Sequence, residues 1–359
     1  MSGNSNLDNA KKAKNDEFYT QYADIQKEIN AYLEYDPNVF KDKTILLPCD
    51  DPAMSNFTKF FAQNFEIFGL KKLISTSYAK ESKIAKYGQM SFWADDDLLC
   101  SGSPDYDPAI ENARGKIFTL TRRNKRVDIN DLQWKYLRGD GDFRSDEVKS
   151  LRNEADFIIT NPPFSLFREF VAWLMESNKR FLVIGNMNAI AYKEVFPLIK
   201  ENRLWLGATG FSTDMVFAVP KGTSIRQSDR EKAEKLGYKG DYTRLGNSCW
   251  FSNIEHGRRH QRLQLMSRAD NIRFNKKLKG QDYQKYDNYD AIEVPFTDAI
   301  PDDYDGVMGV PISFLDKYCP EQFEIKGLDR YVEDNPKYGH RFTINQKETY
   351  ARILIRNKQ

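Results

Sequence analysis

Along the first 220 residues, short apolar runs alternate with amphipathic stretches. Tyr22, Ile25, Ile29, Tyr32 and Leu33 recur at helical spacing, and Asp36-Pro37 ends that helix. Phe18-Tyr19-Thr20 before it has the make-up of a hydrophobic staple and helix cap. Residues 43–48 predict a strand, Ser55 caps a helix through Phe61, and residues 72–78 predict a second strand. Strand, acidic loop, helix, strand is a βαβ unit, which implies parallel pairing with a right-handed crossover. Strands follow at 155–160, 180–185, 204–207 and 215–219, with 116–121 and 134–137 as strand or irregular core. Helices are expected at 166–175 and 192–200. This alternation predicts an α/β fold with a doubly wound, mostly parallel sheet.

Past residue 220 the pattern changes. Gly222 to Arg244 is polar, charged and bounded by glycine, either a solvated helical excursion or a surface for a polyanion. Residues 248–253 form an aromatic strand, and 307–315, 323–325 and 350–355 read as strands of a smaller α+β unit. The expected organisation is a loose tail at 1–13, a main domain at 14–254 with a charged insertion at 221–244, and a C-terminal region at 255–359.

Composition narrows this picture only slightly. The length, 359 residues, suits one large domain or two moderate ones, and a net charge of +2 gives no global argument for nucleic acid. Cys49, Cys100, Cys249 and Cys319 stand singly, as expected of reduced thiols and not of a disulfide framework or zinc site. The N-terminus lacks the build of a signal peptide, and no apolar run approaches the roughly 20 residues that span a bilayer. The expectation is a soluble cytoplasmic protein.

The chemistry concentrates in a few places. Residues 155–160 lead into Asn161-Pro162-Pro163-Phe164, where two prolines stiffen the turn just past a strand's carboxyl end. Ligands bind at that position in open α/β sheets. An amino group donating to the Asn161 oxygen and the Pro162 carbonyl, with Phe164 stacked on its ring, would have its lone pair turned toward an electrophile. The same residues also suit a plain strand-to-loop turn. Asp50 and Asp51 follow the first long strand and suit hydroxyls, a cationic group or a helix cap. That loop has no glycines, so it is no phosphate cradle. Asp140 and Asp142 lie in a flexible acidic loop that falls short of a metal site. Basic residues cluster at Arg122 to Arg126, including Arg123, and at Arg226 in the charged excursion. The strongest run begins at His256-Gly-Arg258-Arg259-His260-Gln-Arg262 and continues through Arg268, Arg273, Lys276, Lys277 and Lys279. Such a run fits phosphate-backbone contact or a basic solvated surface, and His256 and His260 lack the partners of a zinc pair.

Four stretches together resemble the EcoRI-type adenine-specific DNA methyltransferases: residues 15–20, Pro48 to Pro52 with Ser55-Asn56-Phe57, Asn-Pro-Pro-Phe at 161–164, and Trp250 to Arg259. Tyr304 to Ile312 and Tyr350 to Arg356 match that family's tail, so the likeness covers nearly the whole chain. The resemblance implies a Rossmann-like methyltransferase fold with a C-terminal target-recognition region. It also implies S-adenosylmethionine as cofactor and DNA as partner, in a restriction-modification setting. It places Phe18, Tyr19, Thr20, Pro48, Asp50, Asp51, Asn56, Asp140, Asp142 and Asn161 around the cofactor. Asn161, Pro162, Pro163 and Phe164 become the catalytic set, with Trp250 and Phe251 walling the base pocket. Arg122, Arg123, Arg226, His256, Arg258, Arg259, His260, Arg262, Lys276 and Lys277 become the DNA contacts. The expected reaction is methyl transfer to adenine N6 in flipped-out DNA. The alternatives are an RNA, cytosine-N4 or protein-glutamine methyltransferase, or an inactive DNA-binding decoy. Ser75 to Tyr78 depart from the usual pattern by lacking the acid that grips the cofactor ribose.

Overall fold

A computed structural model describes residues 18–79, 113–122, 132–212, 215–332 and 339–358. The expected tail, most of the turn-rich stretch at 94–116 and Arg123 to Arg126 lie outside them. The chain divides into two compact units, one of residues 1–189 and 209–254, the other of 190–208 and 255–359. The second unit thus recruits residues 190–208, which the pattern of the sequence assigns to the main domain.

The first unit begins with a two-residue strand β1 (Tyr19–Thr20) and helix α1 (Tyr22–Tyr35), which buries Ile25, Ile29 and Tyr32. The expected staple and cap is not what forms, because Gln21 is the N-cap and makes no side-chain cap bond. Strand β2 (Thr44–Leu47) and strand β3 (Lys72–Thr76) flank helix α2 (Asn56–Gln63). The Ser55 hydroxyl accepts the Phe57 amide, as its residue type predicts for an N-cap. Strands β4 (Lys116–Thr121) and β5 (Lys135–Tyr136), helix α3 (Asp146–Glu154) and strand β6 (Phe157–Thr160) follow. Next come helix α4 (Phe167–Ser177) and strand β7 (Arg180–Asn186). The unit ends with strand β8 (Val216–Ala218), helix α5 (Gln227–Lys235) and strands β9 (Tyr242–Arg244) and β10 (Ser248–Ser252).

The large sheet of this unit runs β5-β4-β3-β2-β6-β7-β10. Its centre is parallel, with β3 on β2, β2 on β6 and β6 on β7. Its flanks are antiparallel, β4 on β3, β5 on β4 and β10 on β7, so the sheet is mixed. β2 and β6 are buried at every position, which is why they read as continuous apolar runs. From β2 the chain goes to β3 on one side, and later returns to β6 on the other. The carboxyl ends of β2 and β6 therefore bound the point where strand order reverses, the usual crevice for a ligand.

A further expectation is corrected. Residues 215–219 do not extend this sheet: β8 pairs antiparallel with β1 and β9 in a separate small sheet. A three-residue strand carries no period by which the sequence could assign its partner.

In the second unit, strands 292–293, 308–311, 352–357 and 323–328 form a four-stranded sheet in that order. The first pair is parallel and the other two antiparallel, with a bulge between Ile325 and Gly327. Tyr286, Ala291, Val332, Phe342 and Leu354 pack as a core cluster. The expected helix at 192–200 spans only Phe196–Lys200, with proline in its first turn. Among the described residues no helix is long and apolar enough to cross a membrane.

Candidate active site

The tips of β2 and β6 carry the acidic loop and the Asn-Pro-Pro-Phe turn. Asp50 is only 5% exposed, and its carboxylate accepts the Ser55 hydroxyl at 2.7 Å and the Thr160 hydroxyl at 2.5 Å. Burial raises its pKa from 3.8 to about 7, against the lowering effect of those hydroxyls. Asp51 accepts the Ala53 amide at 2.8 Å, and its other oxygen lies 3.7 Å from the Lys116 ammonium. Its side chain is 26% exposed, so of the two acids Asp51 is the accessible one.

Asn161 follows Thr160 directly. Its amide nitrogen donates to the Phe18 carbonyl at 2.6 Å, while its oxygen is buried with no hydrogen-bond partner. Two residues on, the Thr20 carbonyl accepts from the Asn56 amide at 2.8 Å, and the Thr20 hydroxyl is likewise buried without a partner. Asn56 adjoins Ser55, which binds Asp50, which binds Thr160. A closed circuit of covalent and hydrogen bonds thus links β1, the acidic loop, the start of α2 and the turn after β6. The Phe18 ring stacks on Phe164 with centroids 5.7 Å apart and meets Phe217 edge-on at 5.9 Å. Pro162 is buried, and Asn161, Pro163 and Phe164 are half-buried.

Pro48 is buried, and its carbonyl accepts the Thr76 hydroxyl. The Ser75 hydroxyl donates to the Asp50 carbonyl at 2.6 Å, and Ser77 accepts the Lys116 amide. The hydroxyls that replace the expected ribose acid therefore tie strand ends together. The 139–143 loop is pressed against them: Gly141 has φ +79°, and a Cβ there would sit 2.0 Å from the Ser77 carbonyl oxygen. Asp142 is nearly buried and held bidentately by Arg144, which reaches Glu169 at 2.7 Å. Asp140 accepts the Asp142 amide at 3.0 Å.

Trp250 and Phe251 are not brought to this circuit. Trp250 is 2% exposed and meets Phe57 edge-on, and Phe251 is wholly buried against Phe167. The structure places both as core residues of β10. Thr160 and Ser55 are the members that sequence reasoning did not single out for the site. Thr160 adjoins Asn161, but nothing in its spacing discloses a partner 110 residues away.

The cations fall into two classes. Arg122 is pinned to the Leu70 and Gly69 carbonyls and to Asp42. In the second unit, His256 is 3% exposed on the Leu206 carbonyl, and burial lowers its pKa to about 4. Arg258 pairs with Asp316, and His260 bonds Glu255 and Glu321. Arg259, 6% exposed, lies over the Trp205 ring at 4.0 Å and 3.2 Å from Glu255, and burial lowers its pKa. A cavity of about 20 Å³ beside this turn has room for a water and not for a base. Lys277 pairs with Asp298. Arg226 is exposed but not free, and Arg262, Arg273, Lys276 and Lys279 are exposed. Arg262, Arg273, Lys276 and Lys279 have no carboxylate partner among the described residues. The neighbouring Phe274 is 57% exposed.

No solved structure matches the chain. The sequence profile described as adenine-specific methyltransferase EcoRI matches residues 6–358. The type II methyltransferase M.EcoRI of Escherichia coli is 40% identical over 99% of this chain and 97% of its own length. The type II methyltransferases M.MpnI of Mycoplasma pneumoniae and M.MgeORF184P of Mycoplasma genitalium are each 32% identical over 98% of this chain, covering 97% and 98% of their own lengths. With a profile spanning nearly every residue and a relative so similar from end to end, the chain belongs to the EcoRI family of adenine-specific DNA methyltransferases.

Proposed function

We propose that this protein transfers a methyl group from S-adenosylmethionine to the N6 nitrogen of an adenine flipped out of duplex DNA. The Asn161-Pro162-Pro163-Phe164 turn, at the switch point of a Rossmann-like sheet, would be the acceptor site. The observation that carries this reading is the Asn161 amide. Its nitrogen is anchored on Phe18 while its oxygen is buried and unpartnered. Leaving a buried acceptor unsatisfied costs about 1–3 kcal/mol, so the site is preorganised for a ligand N–H. Adenine N6 has two such hydrogens; the second suits the Pro162 carbonyl, and drawing both from the ring plane exposes the nitrogen lone pair. The base reaches this turn only after leaving the stack. The protein's contribution is orientation and electrostatics, with no covalent enzyme intermediate.

The residues present fit the cofactor. The unpartnered Thr20 hydroxyl offers a hydrogen bond to a carboxylate, and the accessible Asp51 carboxylate suits an ammonium. When bound, S-adenosylmethionine supplies an electrophilic methyl group on a sulfonium. Phe18 serves through its carbonyl and its ring on Phe164, and the Asp140 carbonyl accepts the Ala79 amide just past the end of β3.

For the polyanion, Arg262, Arg273, Lys276 and Lys279 are the favoured phosphate contacts. His256, Arg258, Arg259, His260, Arg122 and Lys277 hold the protein's own structure. The proposed setting is a restriction-modification system in the cytoplasm, and the relatives are named type II methyltransferases.

Labelled S-adenosylmethionine with duplex DNA, followed by digestion to nucleosides, tests the proposal. Label in N6-methyldeoxyadenosine is expected. Asn161→Ala should lower transfer at least 1000-fold while the cofactor dissociation constant changes less than threefold, orders of magnitude expected of an electrostatic and positioning group. Near-normal transfer by that variant refutes the assignment. Label confined to RNA or cytosine selects another acceptor, and tight DNA binding without label selects the decoy.

A further inference from the structure

Asp50 stands where a first-strand acid is expected to meet the cofactor's ammonium, yet its surroundings fit a different task. Both carboxylate oxygens are occupied by hydroxyl donors, Ser55 on one and Thr160 on the other. Its backbone is held as firmly: the amide donates to the Thr76 carbonyl at 2.9 Å, and its carbonyl accepts the Ser75 hydroxyl at 2.6 Å. One buried residue therefore knits the ends of β2, β3 and β6 and the cap of α2. The bond to Thr160 crosses the β2–β6 switch point, and Thr160 is the last residue before Asn161. On the far side of Asn161 the chain is stiffened by Pro162 and Pro163.

We propose that Asp50 is a positioning residue: through the Thr160 hydroxyl it holds Asn161 at the geometry needed for transfer, leaving Asp51 to meet the cofactor's ammonium. This rests on the reading of Asn161 as the acceptor of the base amino group. Three features support it. A carboxylate with both oxygens engaged and 5% exposure has little left to offer a ligand. Asp51, the neighbour beside Lys116, keeps an exposed edge. And the raised pKa of Asp50 reflects burial among hydroxyls with no cation among its causes. Displacing a reacting group by about 1 Å can cost on the order of 100-fold in rate, so a single hydroxyl contact at the root of the turn has leverage on kcat.

The test is Thr160→Val, which removes the hydroxyl and keeps the branched shape, with Thr160→Ser as the conservative rescue and Asp51→Asn as the contrast. Transfer to duplex DNA, cofactor affinity by calorimetry, thermal melting and the 15N-labelled side-chain amide signal of Asn161 are read for each. Thr160→Val is expected to lower kcat at least tenfold, keep the KM for the cofactor within twofold, and shift the Asn161 amide signal. Thr160→Ser should restore kcat to within twofold of the wild type. Asp51→Asn should raise the cofactor Kd at least tenfold and leave that amide signal in place. The proposal is overturned if Thr160→Val keeps wild-type kcat, if its loss only follows the fraction unfolded, or if the Asn161 amide signal does not move. Absence of DNA methylation by the wild type would refute the parent reading, and the amide signal would still decide whether Thr160 positions Asn161.

Discussion

Asp50→Asn probes the switch point through stability. Burial lifts the Asp50 carboxyl from 3.8 to about 7, with Thr160 and Ser55 holding it down and Asp51 adding to the rise. Each pKa unit corresponds to about 1.36 kcal/mol, so the displacement amounts to roughly 4 kcal/mol at most. The sign follows from proton binding. Between about pH 4 and pH 7 the folded carboxyl keeps its proton where the unfolded chain has released it, so this group's contribution falls as pH rises through that window and is level above it. Asparagine does not ionise. The unfolding free energy of the variant relative to the wild type should therefore improve by up to about 4 kcal/mol between pH 4 and pH 8. Asp24, raised by burial to about 6, adds a slope of the same sign, and His256, lowered by burial to about 4, one of opposite sign. Both are present in the two proteins and cancel in the difference. Urea titrations followed by tryptophan fluorescence at closely spaced pH values measure it. A difference that stays flat from pH 4.5 to 8 would refute the claim that Asp50 is buried at the strand junction.

Three more outcomes are expected. Replacing Arg273, Lys276 and Lys279 together with Gln should reduce the slope of log K for DNA against log salt by about 3, near one per lost phosphate contact; an unchanged slope moves the footprint elsewhere. Trp250→Ala should lower stability by about 3–5 kcal/mol, as for a buried aromatic, with cofactor affinity and kcat of the folded protein retained; intact stability with lost DNA turnover would return Trp250 to the base pocket. Arg144→Leu should cost about 1 kcal/mol by urea denaturation, since its carboxylate pairs are partly screened by solvent, and should loosen the 139–143 loop in hydrogen exchange.

The parts of the fold legible in the sequence are those with local signals. The β2 and β6 runs are buried at every position and apolar at all but Thr44 and Thr160, and Ser55 announces α2 because its hydroxyl meets the Phe57 amide two residues on. The small sheet was not legible, since β1 finds its partner about 200 residues later and neither strand is long enough to carry a period. In the basic run after residue 255 the charge is legible and the pairing is not. Arg258 pairs with Asp316, 58 positions away, and His260 bonds Glu321, 61 positions away, as well as the nearby Glu255.

The sequence by itself determined the chemistry on offer: an amide stiffened by two prolines after a buried strand, a pair of acids after another, and the family to which these belong. Those are properties of neighbours along the chain, set by backbone restriction and side-chain type. Only the tertiary structure decided which acid is accessible, which aromatic is core, and what holds Asn161 in place. Those depend on contacts between residues far apart in the chain, such as Thr160 with Asp50 and Asn161 with Phe18, whose energies come from burial and hydrogen-bond geometry that no local pattern encodes.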